Sequence, residues 1–337
     1  MIEPVILGAL IATFYIGWNI GSNDTANAMG TTVGARVLTH RRAVVLLILF
    51  VVLGAMLEGY KVMKPVGEGI ITSPTSAVSP LATMPQVVVV SMLSAGIWVT
   101  LATRFGFPVS THQAIIGALV GAGVAMGMFT SIATEVQWGK FLTICVAWIL
   151  TPIAATVFAF FLYKIFEVPF RRVKSIARIN LVFSVAVVLS GCYVAYVMGA
   201  NDVGTAMGAM YATGGGLTRA GFLQSLALFG AVAVAIGAIT YSRRVMGTIG
   251  RGITSLGPIT AFVAQLAAAL TVHVFTQWGL PVSTSQAIVG GVVGAGLIRG
   301  MAAVRGRKLG GIAASWVATP LAAMILAFSL TLLITQF

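Results

Sequence analysis

The chain contains ten apolar stretches, most of them close to the length that an α-helix needs to cross a bilayer. A spanning helix requires about 20 apolar residues. Only 8% of the 337 residues are charged, against about 25% in soluble domains, and the short alternating segments of membrane β-barrels are absent from the sequence. The sequence therefore predicts an all-α polytopic membrane protein. The stretches lie near residues 4–20, 43–60, 85–103, 113–129, 138–163, 179–199, 220–240, 259–276, 286–298 and 311–336. Shorter apolar pieces near 25–38 and 203–213 are predicted to be half-helices or re-entrant segments.

Three motifs occur twice, in the same order. The spacing between the copies falls slowly along the chain, from 178 to 173 to 168 residues, which indicates an internal duplication. We expect a first repeat over residues 1–163, a basic connection over 164–178 and a second repeat over 179–337. The copies are Gly21–Gly30 and Gly199–Gly208, Pro108–Gly117 and Pro281–Gly290, and Trp148–Pro152 and Trp316–Pro320.

Lysine and arginine are distributed unevenly between the loops. If each of the ten stretches crosses the membrane, sixteen basic residues fall on one side and four, Lys61, Lys64, Lys140 and Arg219, on the other. The richer side is predicted to be cytoplasmic, so both termini lie outside the cell (plasma or inner) membrane. These loops, rather than nucleic-acid binding, explain the net charge of +13.

An odd number of crossings in each repeat turns the second repeat upside down relative to the first. Many secondary transporters have this layout, with sites near the midplane where broken helices of the two repeats meet. We therefore expect two inverted repeats of about five to six membrane segments each, with broken or re-entrant helices at the midplane.

Asp24 and Asp202 are the two acidic residues that this topology embeds in the membrane. An embedded charge costs at least about 2.5–3.5 kcal/mol. Each aspartate follows an asparagine, Asn23 or Asn201, among small residues that permit local unwinding. Carboxylate, amide and carbonyl oxygens are the ligands that a hard cation such as Na⁺ prefers. The motifs therefore predict cation sites, with a proton on either aspartate, or a purely structural pair, as the alternatives.

Each Pro-Val-Ser-Thr motif precedes a helical pattern, so its hydroxyls are predicted to lie at a helix N-terminus. Free N–H groups and the helix dipole favour an oxyanion there; ordinary capping is the alternative. Gln113 and Gln286 lie near the first turns and could bridge anion and cation, whereas His112 is matched by Ser285, so no symmetric role is expected for it. The predicted donors to a tetrahedral anion are Ser110, Thr111, Ser283 and Thr284.

The repeated motifs contain neither lysine nor arginine. A bound anion must therefore be balanced by helix dipoles and by co-bound cations, which favours cation–anion symport over a channel lined with basic rings. The motifs also lack a metal cluster and a nucleophile–base pair, so an enzyme acting on phosphate esters is not expected.

The segment Gly21-Ser22-Asn23-Asp24-Thr25-Ala26-Asn27-Ala28 and the two Pro-Val-Ser-Thr motifs resemble the inorganic phosphate transporter family, the Na⁺- or H⁺-coupled phosphate permeases. The resemblance implies about twelve membrane segments, inorganic phosphate as substrate, Na⁺ or H⁺ as coupling ion, and homodimers in the bilayer. The predicted phosphate site comprises Ser110, Thr111, Gln113, Ser283, Thr284, Ser285, Gln286 and Thr25. The predicted Na⁺ sites comprise Asn23, Asp24, Asn27, Asn201, Asp202 and Thr205.

Two departures from the family pattern refine the prediction. Thr205 stands where the first signature has Asn27, so the two cation sites are expected to be unequal. The family often has histidine where this chain has Gln113 and Gln286, which favours Na⁺ over a proton relay. Phosphate near neutral pH can donate a hydrogen bond to embedded acceptors, whereas sulfate cannot. We thus expect a prokaryotic form that imports phosphate with Na⁺; a proton-coupled phosphate or sulfate permease is the alternative.

Overall fold

Long apolar helices make up most of the computed structural model, which describes residues 3–34, 36–105, 109–170, 175–214, 220–243, 258–298 and 306–335. Within these residues, nine helices are long and apolar enough to cross a membrane, and Thr284–Leu297 is a shorter apolar helix. Each of the ten predicted stretches lies mostly within one of these helices. The prediction of an all-α multi-pass membrane protein is therefore confirmed.

The described part of the first half contains eight helices and two very short strands. The strands, β1 (Ile71–Thr72) and β2 (Glu135–Val136), pair antiparallel, with Ile71 opposite Val136. Proline opens α1, α5 and α6, a position where its missing N–H has no helical partner to lose. The helices are α1 (Pro4–Asn23), α2 (Thr25–Gly34), α3 (His40–Glu58), α4 (Tyr60–Gly69), α5 (Pro80–Thr83), α6 (Pro85–Arg104), α7 (Thr111–Phe129) and α8 (Trp138–Phe170).

The second half contains six helices within the described residues. A π-helical turn, Gly199–Val203, joins the first two of them. The helices are α9 (Ile176–Met198), α10 (Gly204–Thr213), α11 (Ala220–Thr240), α12 (Pro258–Gln277), α13 (Thr284–Leu297) and α14 (Gly306–Thr335).

The two polar motifs interrupt their helices less than the sequence suggests. Asp24 is a single turn residue between α1 and α2; its N–H still bonds Ile20 O (2.8 Å), and its carbonyl accepts from Asn27 N (2.9 Å). The second motif forms the π-helical turn, a feature found frequently at functional sites. The predicted half-helices are therefore α2 and α10, which continue α1 and α9 after a local distortion.

Helices from the two halves pack against each other through the repeated motifs. On α7, a methyl group added to Gly117 would lie 2.3 Å from Pro320 O of α14. On α13, one added to Gly290 would lie 2.2 Å from Pro152 O of α8. The same pair of motifs thus packs twice, each time with one helix from each half, and glycine allows both backbones to approach closely.

Gly290→Ala is expected to lower the thermal unfolding midpoint of the purified protein, because its new methyl group meets a backbone oxygen that cannot move alone. Overpacking of this kind costs about 1–3 kcal/mol. Gly139→Ala, near the start of α8, is the matched control, since no atom lies within 4 Å of its added methyl group. Equal midpoints for the two variants would contradict the close packing of α13 on α8.

Candidate functional site

Asp24 lies in a buried cluster that joins the first residues of α7 and α13. Its side chain is 2% exposed. Oδ2 accepts a hydrogen bond from Thr111 Oγ1 (3.1 Å), while Oδ1 accepts from Ser285 Oγ (3.2 Å) and from Asn27 Nδ2 (3.1 Å). Asn27 Nδ2 also lies 2.7 Å from Ser285 Oγ. One carboxylate is therefore held by α2, by α7 and by α13.

Asp202, which is fully buried in the π-helical turn, occupies a matching position. Oδ2 accepts from Thr284 Oγ1 (3.3 Å), and Oδ1 lies 3.2 Å from Nε2 of the buried His112. Each aspartate thus contacts the first threonine of the motif helix in its own half and the following residue of the motif helix in the other half. The N-termini of α7 and α13 consequently meet at the two carboxylates.

Serine caps both of these helices, as the sequence predicts. Ser110 Oγ accepts from Gln113 N (3.4 Å), and Ser283 Oγ accepts from Gln286 N (3.2 Å). Both serines are 1% exposed. A capping hydroxyl accepts through its oxygen, so its hydrogen can be donated to an anion at the same helix end.

Several polar atoms in this region are buried without a hydrogen-bond partner in the protein. They include Oε1 of Gln113 and Oε1 of Gln286, the first-turn glutamines of α7 and α13. Nε2 of His112 and Oδ1 of Asp202 approach each other at ion-pair distance without hydrogen-bond geometry. An unsatisfied buried polar group costs about 1–3 kcal/mol. Such a concentration of unpaired donors and acceptors is what a polar ligand would satisfy.

The other predicted site residues lie on the same two turns but bond to the protein. Thr25 Oγ1 donates to Gly21 O, and Thr205 Oγ1 donates to Asn201 O (2.8 Å). The side-chain amide of Asn201 bonds to the end of α12 and to the turn before α13 rather than to the carboxylates. Asn23, at the C-terminal end of α1, is only partly buried. The direct contacts are thus made by the aspartates, by Asn27 and by residues of α7 and α13.

Two residues of the site were not predicted as site residues. His112 was set aside because its repeat partner is Ser285, yet both residues cross to the aspartate of the opposite half. The signal available in the sequence was the position of His112, a histidine directly after the Pro-Val-Ser-Thr motif at the start of a helix. Trp148, which in the sequence marks only a repeated motif, donates from its indole Nε1 to Pro281 O (3.0 Å) in the second Pro-Val-Ser-Thr motif.

Neither aspartate is paired with lysine or arginine in the part of the chain that the structure describes. Two buried carboxylates therefore lie beside two helix N-termini that favour anions. This combination can hold cations and an anion in contact within a bundle of membrane-spanning helices. The fold and the site together define a multi-pass membrane transporter for ions.

The chain belongs to the phosphate transporter family, whose model matches residues 20–327. Phosphate transport is thus its family-level activity, and the protein is a transporter rather than an enzyme. The resemblance indicated by the repeated motifs is confirmed.

Relatives and a solved structure match over almost the whole chain. A protein of Methanocaldococcus jannaschii named "putative phosphate permease" is 33% identical over 97% of each chain. A protein of Thermococcus kodakarensis with the same description is 31% identical, also over 97% of each chain. The solved structure titled "The sodium-dependent phosphate transporter" matches with a TM-score of 0.87 and 25% identity, covering 99% of this chain and 100% of that one.

Proposed function

We propose that this protein is a symporter that carries inorganic phosphate into the cell together with Na⁺. The observation that carries the proposal is that each buried aspartate contacts the first turns of both α7 and α13. A cation at the carboxylate and an anion at the helix ends would therefore be neighbours. Opposite charges at such short range attract strongly where water is excluded. Each ion would then raise the affinity for the other, since coupling between two binding sites is reciprocal.

The proposed phosphate site lies between the two capped helix N-termini. The hydroxyls there donate to phosphate oxygens, and the unpaired Oε1 atoms of Gln113 and Gln286 accept from a phosphate hydroxyl. Sulfate has no hydrogen to donate near neutral pH, so it would leave these acceptors unsatisfied. The proposed donors are Ser110, Thr111, Ser283, Thr284 and Ser285, with Thr25 nearby on α2. Thr111, Thr284 and Ser285 now donate to the aspartates, so their single hydroxyl hydrogens turn to phosphate when a cation occupies the carboxylates.

The proposed Na⁺ sites use the carboxylates of Asp24 and Asp202 with neighbouring amide and backbone oxygens. These are the hard oxygen ligands that such a cation prefers. Asn27, which contacts Asp24, belongs to the first site together with Asn23, and the second lies on the π-helical turn at Asp202 with Thr205. The sequence also assigned Asn201 to this second site, but its side-chain amide bonds to Thr276, Leu280 and Val282 instead. The likeness to a solved sodium-dependent phosphate transporter supports Na⁺ as the coupling ion. A proton is the alternative, and a sulfate permease is the alternative in substrate.

Uptake of labelled phosphate into proteoliposomes tests this function. We expect an inward Na⁺ gradient at equal pH to drive accumulation of phosphate. A tenfold excess of sulfate over phosphate should leave phosphate uptake unchanged. A proton gradient without Na⁺ should give no accumulation. Accumulation driven by a proton gradient alone would show that H⁺, rather than Na⁺, is the coupling ion. Inhibition of phosphate uptake by sulfate would contradict the proposed selectivity for phosphate.

We further propose that the two halves form inverted repeats in the cell membrane, with both termini outside and with homodimers as the assembled form. Single cysteines in a background without Cys145 and Cys192 test the orientation. Arg41→Cys at the start of α3 should resist an impermeant thiol reagent in intact cells, whereas Lys140→Cys near the start of α8 should react, because the basic loops are cytoplasmic. The reverse labelling pattern would overturn the topology and the inverted arrangement with it.

A further inference from the structure

We propose that Asn201 is a positioning residue: it fixes the turn between α12 and α13 in the place from which Ser283 and Thr284 contact phosphate, and its side chain does not bind the coupling ion. The inference rests on the proposed function, because it assigns a role within that same site. It separates the tasks of two adjacent residues, since Asp202 remains the residue that faces the ion.

Both the nitrogen and the oxygen of the Asn201 side-chain amide bond to the segment that leads into α13. The side chain is fully buried. Nδ2 donates to Thr276 Oγ1 (2.8 Å) and to Leu280 O (3.0 Å), and Oδ1 accepts from Val282 N (3.1 Å). An amide offers two N–H donors and one oxygen with two lone pairs. Both donors and one lone pair therefore hold the last turn of α12 and the turn that follows it, while His112 also interacts with the Asn201 side chain.

This turn leads directly into the predicted phosphate site. Val282 precedes Ser283, the residue that caps α13. The turn also contains Gly279, whose φ of +70° is a left-handed conformation that glycine adopts at no steric cost. Trp148 Nε1 of α8 bonds Pro281 O from another direction (3.0 Å). Asn201 and Trp148 together determine where the N-terminus of α13 lies.

The π-helical turn links the positioning role of Asn201 to the proposed Na⁺ site at Asp202. Asn201 and Asp202 are consecutive, and Asp202 contacts Thr284 and His112. A cation that rearranges the turn at Asp202 would therefore move Asn201, and with it the segment from Leu280 to Ser283. The arrangement supplies a short covalent path between ion binding and the shape of the anion site.

Paired measurements on Asn201→Ala and Asn201→Asp distinguish positioning from ion binding. For a positioning residue, both variants should weaken phosphate binding at saturating Na⁺ by at least about tenfold, because hydrogen bonds that hold the turn are lost. Asn201→Asp loses the two bonds that Nδ2 donates, because a carboxylate oxygen would then face Leu280 O. Na⁺ binding is measured without phosphate, as the Na⁺ concentration that gives half of the maximal rise in the thermal unfolding midpoint. This concentration should be the same in both variants as in the parent.

A cation ligand predicts a different pattern. Asn201→Asp would then tighten Na⁺ binding by adding a charged oxygen, while Asn201→Ala would weaken Na⁺ binding even without phosphate. Either result would overturn the positioning role. Thr276→Val removes the same hydrogen bond from the other side and should also weaken phosphate binding. Thr271→Val is its control, since Thr271 is buried on α12 and donates to Ala267 O within its own helix (2.8 Å).

Hydrogen–deuterium exchange tests, without any ligand, whether Asn201 holds the turn between α12 and α13. In Asn201→Ala and in Thr276→Val, amides of the Trp278–Thr284 segment should exchange faster than in the parent, with no change at Thr271→Val. Amide exchange rates equal to those of the parent in both Asn201→Ala and Thr276→Val would contradict the proposal. If the exchange and phosphate effects hold while the parent shows no Na⁺ dependence, Na⁺ coupling fails and the positioning role of Asn201 stands.

Discussion

Asp24→Asn is expected to remove the Na⁺ dependence of phosphate binding while the protein still folds and inserts. The asparagine keeps the size of the side chain and one oxygen, but it loses the anionic ligand that a hard cation prefers. Insertion should become easier, since an embedded charge costs at least about 2.5–3.5 kcal/mol. Ser285 can still donate to the amide oxygen, and the hydroxyl of Thr111, which donates to the other carboxylate oxygen of Asp24, can accept from the amide nitrogen instead. The loss is thus expected in ion affinity rather than in folding.

The measurement is phosphate binding to purified protein across a Na⁺ titration. In the parent, phosphate affinity should rise with Na⁺, and in Asp24→Asn the curve should be flat, because coupling that is lost for one ion is lost for the other. Glu135→Gln, at the exposed first residue of β2, is the control for loss of a carboxylate away from the site. A parental Na⁺ dependence in Asp24→Asn would make Asp24 a structural residue and place the cation elsewhere.

Asp202→Asn provides the matched comparison within the site. Asp202 lies 3.2 Å from the imidazole of His112, whereas the corresponding neighbour of Asp24 is the hydroxyl of Ser285. Asn27 adds an amide contact at Asp24, and Thr205 in the equivalent position donates to the backbone instead. We therefore expect Asp24→Asn to impair Na⁺ dependence more than Asp202→Asn. Equal losses would show that these neighbours do not distinguish the two carboxylates.

Combining Ser110→Ala with Ser283→Ala is expected to weaken phosphate binding by at least about tenfold, with a smaller effect on Na⁺ binding measured without phosphate. Hydrogen bonds to a charged group contribute roughly 1.5–3 kcal/mol each. Both hydroxyls lie at the helix ends where the anion is proposed to bind, one from each half of the chain. The expected loss therefore follows from two missing donors at one site.

Loss of the caps themselves must be separated from loss of the donors. A Ser→Ala change at an N-cap costs roughly 0.5–2 kcal/mol of stability, whereas glycine costs only a few tenths. The pair Ser110→Gly and Ser283→Gly removes both hydroxyls with little capping penalty, so it should weaken phosphate binding as strongly as the alanine pair. Ser79→Ala removes the cap of α5, where Ser79 Oγ accepts from Leu81 N (3.3 Å), and should leave phosphate affinity unchanged. If the double glycine variant binds phosphate with the affinity of the parent, Ser110 and Ser283 act as helix caps and not as phosphate donors.

The sequence by itself determined which segments form the long apolar helices and where the helices of the motifs begin. Apolar length and the scarcity of charge leave a helix as the structure that satisfies its own backbone in lipid. Each Pro-Val-Ser-Thr motif encodes its cap locally, because the serine and the N–H that it accepts are three residues apart. The two embedded aspartates were likewise visible, since an uncompensated carboxylate in an apolar stretch is costly in any fold.

Only the tertiary structure decided which groups meet. His112 contacts Asp202, and Ser285 contacts Asp24 from 261 residues further along the chain. Asn201 holds the turn before α13 rather than standing free beside its aspartate. Residue types and spacing carry no information about such pairings, because they depend on how helices from different halves cross. Close approach at Gly117 and Gly290 packs α7 on α14 and α13 on α8, and the packing of whole helices placed the N-termini of α7 and α13 on the two carboxylates.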